Sequence, residues 1–289
     1  MTTPPLPLAP HERILQVALP ALVLALAWRS GAPGHAATIA LGAACYAVAV
    51  FALRRKPGAA TQKLRLLMGH LILLWSYWQV EWTIPALGLG PRDAELLAID
   101  RALFGATPGA LLEPWVSPWL NDAMSASYFF YVVYFQIVVV ASLFRPSREL
   151  HRLVRPLYLT FLIGMLGYYL VPARGPRYVY PAMFASSVEQ GSWITTLNQL
   201  VVSSGSSKFD VFPSLHLAIG WTLWLHDRRH SRTRAWIALP WVIGLSISTV
   251  YLRYHYGIDL VAGALLVVAV QAWDRRAGPH GAAVGDPEA

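Results

Sequence analysis

The sequence is short of charge. Only 13% of its 289 residues are Asp, Glu, Lys or Arg, against roughly a quarter in an ordinary globular protein. That scarcity excludes a disordered chain, a coiled coil and a typical soluble enzyme. Cysteine is nearly absent too. The single Cys45 rules out a disulfide framework or a thiolate metal cluster built within the chain, and its place in an apolar run predicts a core position. Short alternating strands are missing, which excludes a membrane barrel. No internal repeat and no separate soluble domain is visible.

What the chain has instead is hydrophobic length. Apolar residues make up 56% of the sequence, and lipid admits only helices or closed barrels. The expected fold is therefore an all-α integral membrane protein. Eight apolar runs approach the length of a hydrocarbon core, at about 13–28, 36–53, 66–88, 124–144, 156–172, 212–226, 235–250 and 255–273. Residues 1–65 read as two extra N-terminal transmembrane helices and 66–273 as a six-helix core. Residues 274–289 read as a disordered tail. The first run lacks a strongly basic start, which favours an uncleaved span over a signal peptide.

The formal net charge is +8, and its placement argues against nucleic acid as a partner. Sixteen of the 23 Lys and Arg residues fall on the N-terminus, the even-numbered loops and the tail; seven fall on the odd-numbered loops. The excess predicts both termini in the cytoplasm and the third, fifth and seventh loops outside. The abundance of Ala, Arg, Pro and Gly fits a GC-rich bacterial genome, and so a plasma membrane. The third loop carries Asp93, Glu95, Asp100, Glu113 and Asp122 beside Trp115 and Trp119, a pattern that predicts interfacial helices.

Ionisable groups near hydrocarbon are costly and mark functional candidates. His255 and Asp259 are four residues apart, on one helical face. The carboxylate can there hold one imidazole nitrogen and leave the other's lone pair free. A structural His–Asp pair would look the same. In Asp210-Val-Phe-Pro213-Ser214-Leu-His216, Pro213 suits a first helical position, and the following amides would form an anion site at the helix end, with His216 one turn in. Arg174 and Arg177 lie in a stiff Pro-Ala-Arg-Gly-Pro-Arg turn and can hold phosphate oxygens, although snorkelling to headgroups is the ordinary use of arginines there. Lys208 and Arg253 are further outward cations. Two histidines, an orienting carboxylate, a helix-end anion site and arginines suit phosphoryl transfer through a phosphohistidine. With no tight carboxylate cluster or thiolate, no metal or other cofactor is expected. His70 and Glu81 read as partners inside the bundle.

Phe-Pro-Ser-Leu-His at 212–216, followed 39 residues after His216 by His-Tyr-Gly-Ile-Asp at 255–259 and preceded by the 172–177 turn, resembles the type 2 phosphatidic acid phosphatase superfamily, to which vanadium haloperoxidases also belong. Leu-His in place of Gly-His, and the stretch 83–105, are most similar to its inositol phosphorylceramide synthase-like branch. The resemblance covers roughly residues 66–273. It implies His255 as nucleophile, Asp259 as its orienting carboxylate, His216 as general acid, and Arg177 and Ser214 as phosphate ligands. The sequence departs from the family pattern in two places. Six residues before Arg177 stands Val171 and not a lysine, and six before His255 stands Thr249 and not an arginine. Arg174, Lys208 and Arg253 are then the substitutes at hand.

The resulting expectation is a lipid phosphatase or phosphotransferase that works on a lipid phosphate ester without a metal and on the outer face. Its acceptor is water, a lipid alcohol or a polyol. A strict phospho-headgroup transferase is the alternative enzyme. A lipid transporter or scramblase is the alternative from another class, though the paired broken helices usual in transporters are not seen.

Overall fold

The computed structural model describes residues 6–29, 33–56 and 58–277. The tail expected at 274–289 lies outside the described residues from 278 on. Among the described residues every regular element is helical, as expected. Twelve α-helices run in chain order: α1 (Pro10–Arg29), α2 (Pro33–Arg54), α3 (Ala59–Ala86), α4 (Asp93–Phe104), α5 (Pro108–Leu111), α6 (Pro118–Leu143), α7 (Ser147–Leu170), α8 (Pro176–Val179), α9 (Trp193–Gly205), α10 (Leu215–His230), α11 (Arg232–Tyr251) and α12 (Gly257–Arg276). Short 3-10 turns follow α5 and α8.

Six of them, α1, α2, α6, α7, α11 and α12, are long and apolar enough to cross a membrane. The sequence reading anticipated eight. Of the other two, α10 has only 16 residues and ends on Asp227, Arg228, Arg229 and His230, which gives about 24 Å of helix against a hydrocarbon core of about 30 Å. The other, α3, has the length but intersperses Gln62, Lys63, Arg65, His70, Gln79 and Glu81. The acidic stretch after α3, expected to form interfacial helices, folds into the helices α4 and α5 and leaves Trp115 and Trp119 exposed.

The chain forms two compact units. One comprises residues up to Leu89, Val139–Leu162 and residues from Val270 on; the other comprises Gly90–Val138 and Ile163–Ala269. In the first, α1 and α2 make an antiparallel pair beside α3. Cys45, expected in the core, is exposed on α2, because a membrane helix can turn apolar side chains outward as readily as inward. His70 is buried, stacked near Tyr158, whose hydroxyl donates to the Leu66 carbonyl at 2.7 Å. Arg65 forks onto Glu12, with Nε–Oε1 3.0 Å and Nη2–Oε2 2.5 Å, and both residues are buried. Removing one partner of such a pair strands the other charge. Glu12→Leu is therefore expected to cost about 3–5 kcal/mol, read as a fall in the unfolding midpoint in detergent. An unchanged midpoint would show the pair to be solvated.

The second unit has two apolar clusters. One gathers Tyr128, Val188, Val202, Leu245, Tyr251, Leu252 and Tyr254. The other gathers Leu96, Leu97, Ala173, Val211 and Tyr256. Together they fix the 172–177 turn, the start of α10 and the turn between α11 and α12.

Candidate active site

All the residues singled out for phosphate chemistry lie in the second unit. At the start of α10, Ser214 is the N-cap and its hydroxyl oxygen accepts from the Leu217 amide at 3.4 Å. Pro213 therefore stands one residue before the cap, after a cis peptide bond, and not at the first helical position. The Ser214 amide is also taken, donating to the Asp259 carbonyl at 3.0 Å. Ser214 keeps a hydroxyl hydrogen to donate, but it is fully buried. His216 follows in the first turn.

Between α11 and α12 the chain turns tightly. Leu252 caps α11, Arg253 takes a left-handed φ of 66°, and the amides of Tyr254 and His255 both donate to the Thr249 carbonyl at 3.0 and 3.1 Å. The Thr249 backbone thus anchors the histidine whose cation partner its side chain lacks. Asp259, third residue of α12, accepts from the Tyr256 amide at 2.8 Å, the reciprocal half of a capping box.

These two helix starts bring the three predicted residues into a chain. His255 Nδ1 lies 3.4 Å from Asp259 Oδ2. His255 Nε2 lies 3.3 Å from His216 Nδ1, and His216 Nε2 is 2.8 Å from the Tyr128 hydroxyl. His255 is 2% exposed and Asp259 fully buried. Burial, reinforced by the charge that His216 can carry, holds the His255 pKa well below its ordinary value, so the ring is neutral with a lone pair to use. Tyr131 packs edge-on to His216 at 5.1 Å.

The predicted cations divide. Arg177 spans from the Arg253 carbonyl, to which its amide donates at 2.9 Å, to the Tyr254 hydroxyl at 3.1 Å and Glu189 at 2.6 Å. Tyr254 in turn packs 4.9 Å from Tyr128. One tyrosine pair therefore separates Arg177 from His216. Arg174 is half-buried, and its Nε is buried without a partner among the described residues. Lys208 is exposed. Arg253 is placed differently from the phosphate-reaching role anticipated for it. Its Nη2 donates to Glu113 and to the Ser186 carbonyl, both at 2.8 Å, and its guanidinium covers the Phe184 ring at 4.2 Å. In that position it ties two loops together.

The sequence reading missed the groups that hold this arrangement. Asp93 accepts from the Arg174 and Gly175 amides at 3.0 and 2.9 Å and from the Tyr256 hydroxyl at 2.9 Å. Asp100, fully buried, accepts from the Gly257 and Ile258 amides at 2.8 and 2.9 Å and from Thr107 at 2.7 Å. It thereby caps α12 from a distant segment. Glu113 holds Arg253 and the Ser186 amide. All three were legible as acids in the third loop, but their spacing says surface, and only their partners reveal a scaffold. Gly175 is required twice: its φ is +85°, and a Cβ there would stand 2.3 Å from the Tyr254 carbonyl oxygen. Asp100→Ala leaves two helix-end amides unmet and is expected to lower turnover about 10- to 100-fold through a loosened 255–259 segment. Wild-type turnover per folded molecule would show that α12 caps itself.

Two imidazoles, one beside a buried carboxylate and the other beside a tyrosine, lie at helix starts with arginines on the adjoining turn, and together they make a candidate phosphatase or phosphotransferase site. Residues 94–273 match the sequence model of the PAP2 superfamily, and the chain belongs to that superfamily. Its members are typically phosphatases or phosphotransferases. No curated protein and no solved structure matches the chain. Among the described residues no group of three or more His, Cys, Asp or Glu side chains is arranged to hold a metal.

Proposed function

We propose that the protein cleaves a phosphate ester of a membrane lipid through a phosphohistidine on His255. The observation that carries this reading is the chain Asp259–His255–His216, with 3.4 Å on one nitrogen of His255 and 3.3 Å on the other. The negative charge of Asp259 beside Nδ1 favours the proton there and leaves Nε2 free to attack phosphorus. As the N–P bond forms, the P–O bond to the alcohol breaks, and His216, held as the imidazolium by the charge of the bound phosphate, gives one proton to the departing oxygen and becomes neutral. In the second step His216 takes a proton from water or an acceptor alcohol, whose oxygen attacks phosphorus and releases His255. The His216–His255 contact has to open to admit the phosphoryl group, and Tyr128 provides a fixed point for the His216 ring while it does so. Arg177 and Arg174 are the cations we assign to the phosphate oxygens, with the Ser214 hydroxyl as a further donor; Lys208 and Arg253 are weaker candidates by placement. We place the site on the outer face from the Lys and Arg count of the loops, and the membrane as a bacterial plasma membrane from the Ala, Arg, Pro and Gly content.

A panel of lipid phosphate esters incubated with purified protein, with and without added alcohol acceptors, tests this. Mass spectrometry is expected to show free phosphate or headgroup, or a new phospholipid, from at least one of them, unaffected by EDTA and suppressed by vanadate. The product identity separates hydrolysis from headgroup transfer. No turnover of any ester, or turnover that chelation removes and one divalent ion restores, would overturn the reading.

A further inference from the structure

The unit that holds α1–α3 contains two cavities that the chemistry above does not use. One, of about 220 Å³, is lined by the segment before α1 together with His11, Glu12, Gln62, Arg65, His151 and Arg155. The other, of about 480 Å³, lies between α1 and α2, walled by Leu15, Leu19, Val23, Ala40, Ala43 and Ala47, with Gln16 and Tyr46 as its polar members. The two adjoin along α1, since His11 and Glu12 stand one helical turn from Leu15 and Gln16. Tyr46 of the larger cavity is close enough to Glu12 and Arg65 of the smaller to feel both charges.

Five unmet hydrogen-bonding atoms lie along these two cavities. His11 Nε2, Gln16 Nε2, the Tyr46 hydroxyl and both ends of the Gln62 amide are buried side-chain atoms with no partner among the described residues. His11, Tyr46 and Gln62 are 2%, 4% and 3% exposed. Buried polar atoms are nearly always paired, so an unpaired group of this size points to something that binds there. The charges at this end are already answered, Arg65 by Glu12 and Arg155 by Asp274. What is left over is a neutral set of donors and acceptors at one end of an apolar slot, between two helices long and apolar enough to cross a membrane.

We propose that the two cavities form one binding site for an uncharged lipid with a hydroxyl-bearing head. Its hydrocarbon chain lies between α1 and α2, against the small side chains of Ala40, Ala43 and Ala47, which leave that slot open. Its head exchanges hydrogen bonds with Gln62, His11 and Tyr46. A phosphorylated or carboxylated head fits less well, because it would have to displace Glu12 or Asp274 from their arginines.

The test is native mass spectrometry of the full-length detergent-purified protein with dioleoylglycerol, compared with dioleoylglycerol hemisuccinate, which carries a carboxylate and no phosphate ester. Wild type is expected to hold one dioleoylglycerol. Gln62→Leu, which removes head contacts, and Ala43→Phe, which fills the slot, are each expected to weaken retention by about tenfold or more, the worth of one or two lost hydrogen bonds or of a blocked chain. Phosphate-ester turnover should be unchanged in both, as neither residue belongs to the active site. Should a variant not fold, wild type alone decides: hexadecanol is expected to displace the bound lipid and hexadecane is not. No adduct on wild type would leave water as the partner of these groups and overturn the proposal. So would an adduct undiminished in either folded variant, equal binding of the hemisuccinate, or equal displacement by hexadecane.

Discussion

His255→Ala is expected to lower turnover of the phosphate ester by at least about a thousandfold, because in the proposed mechanism it removes the atom that takes the phosphoryl group. The ring is 2% exposed and its Nε2 points at His216, so no other side chain of the site can take over the attack. A short incubation with phosphate-labelled substrate, quenched without acid, should leave label on His255 in wild type and none in the variant. The loss should be chemical and not structural. The deleted ring is anchored by its amide to the Thr249 carbonyl, a contact that alanine keeps, so the unfolding midpoint in detergent should move little. Label on a different residue, or turnover that survives in His255→Ala, would remove His255 from the nucleophile's role. His216→Ala should keep the ability to be labelled by substrates with good leaving groups and lose it with alkoxides, since the proton it supplies matters only for a basic leaving oxygen.

Asp259→Asn is the second large effect, expected at about 10²- to 10⁴-fold in turnover. The carboxylate meets the Tyr256 amide at 2.8 Å and His255 Nδ1 at 3.4 Å through the same oxygen, Oδ2, and an asparagine oxygen in that place can still face both. What asparagine lacks is the negative charge. An imidazole that attacks phosphorus through Nε2 while keeping its Nδ1 proton becomes cationic, and without the carboxylate that developing charge goes unanswered in a buried site. Geometry is kept and chemistry is lost, so the variant should fold with near-native stability and bind a phosphate mimic such as vanadate. If stability falls in step with activity, Asp259 is a buried structural partner of His255 and the charge argument fails. The same logic separates Asp259 from Asp100, whose substitution acts by loosening the 255–259 segment and should affect turnover through mobility, not charge.

Much of the site's residue content could be read along the chain. His255 and Asp259 are four apart, and one helical turn brings such residues together wherever the helix packs. His216 and Ser214 follow a Pro-Ser pattern that signals a helix start, although the start falls two residues later than the proline suggested. Arg174 and Arg177 were marked by the stiff turn around them. Arg253 shows where this kind of reading stops. Its nearness in sequence to His255 suggested a reach toward phosphate, whereas its side chain answers Glu113, 140 residues away. Asp93 and Asp100 were equally opaque. An acid in a polar loop looks solvated until the amides it caps, 81 and 157 residues further on, are known.

By itself the sequence determined that this is a helical membrane protein, because apolar composition and run length are additive properties that lipid selects directly. It also determined the chemistry-bearing residue types, because their motifs are local and a helix turn is a local structure. Only the tertiary structure decided that the two histidines meet at 3.3 Å. It also decided which of eight apolar runs are long and apolar enough to cross, that a distant carboxylate caps the helix bearing Asp259, and that Arg253 clamps loops. Each of these depends on contacts between segments remote in sequence, whose pairing is set by packing and by the need of every buried donor and acceptor to find a partner.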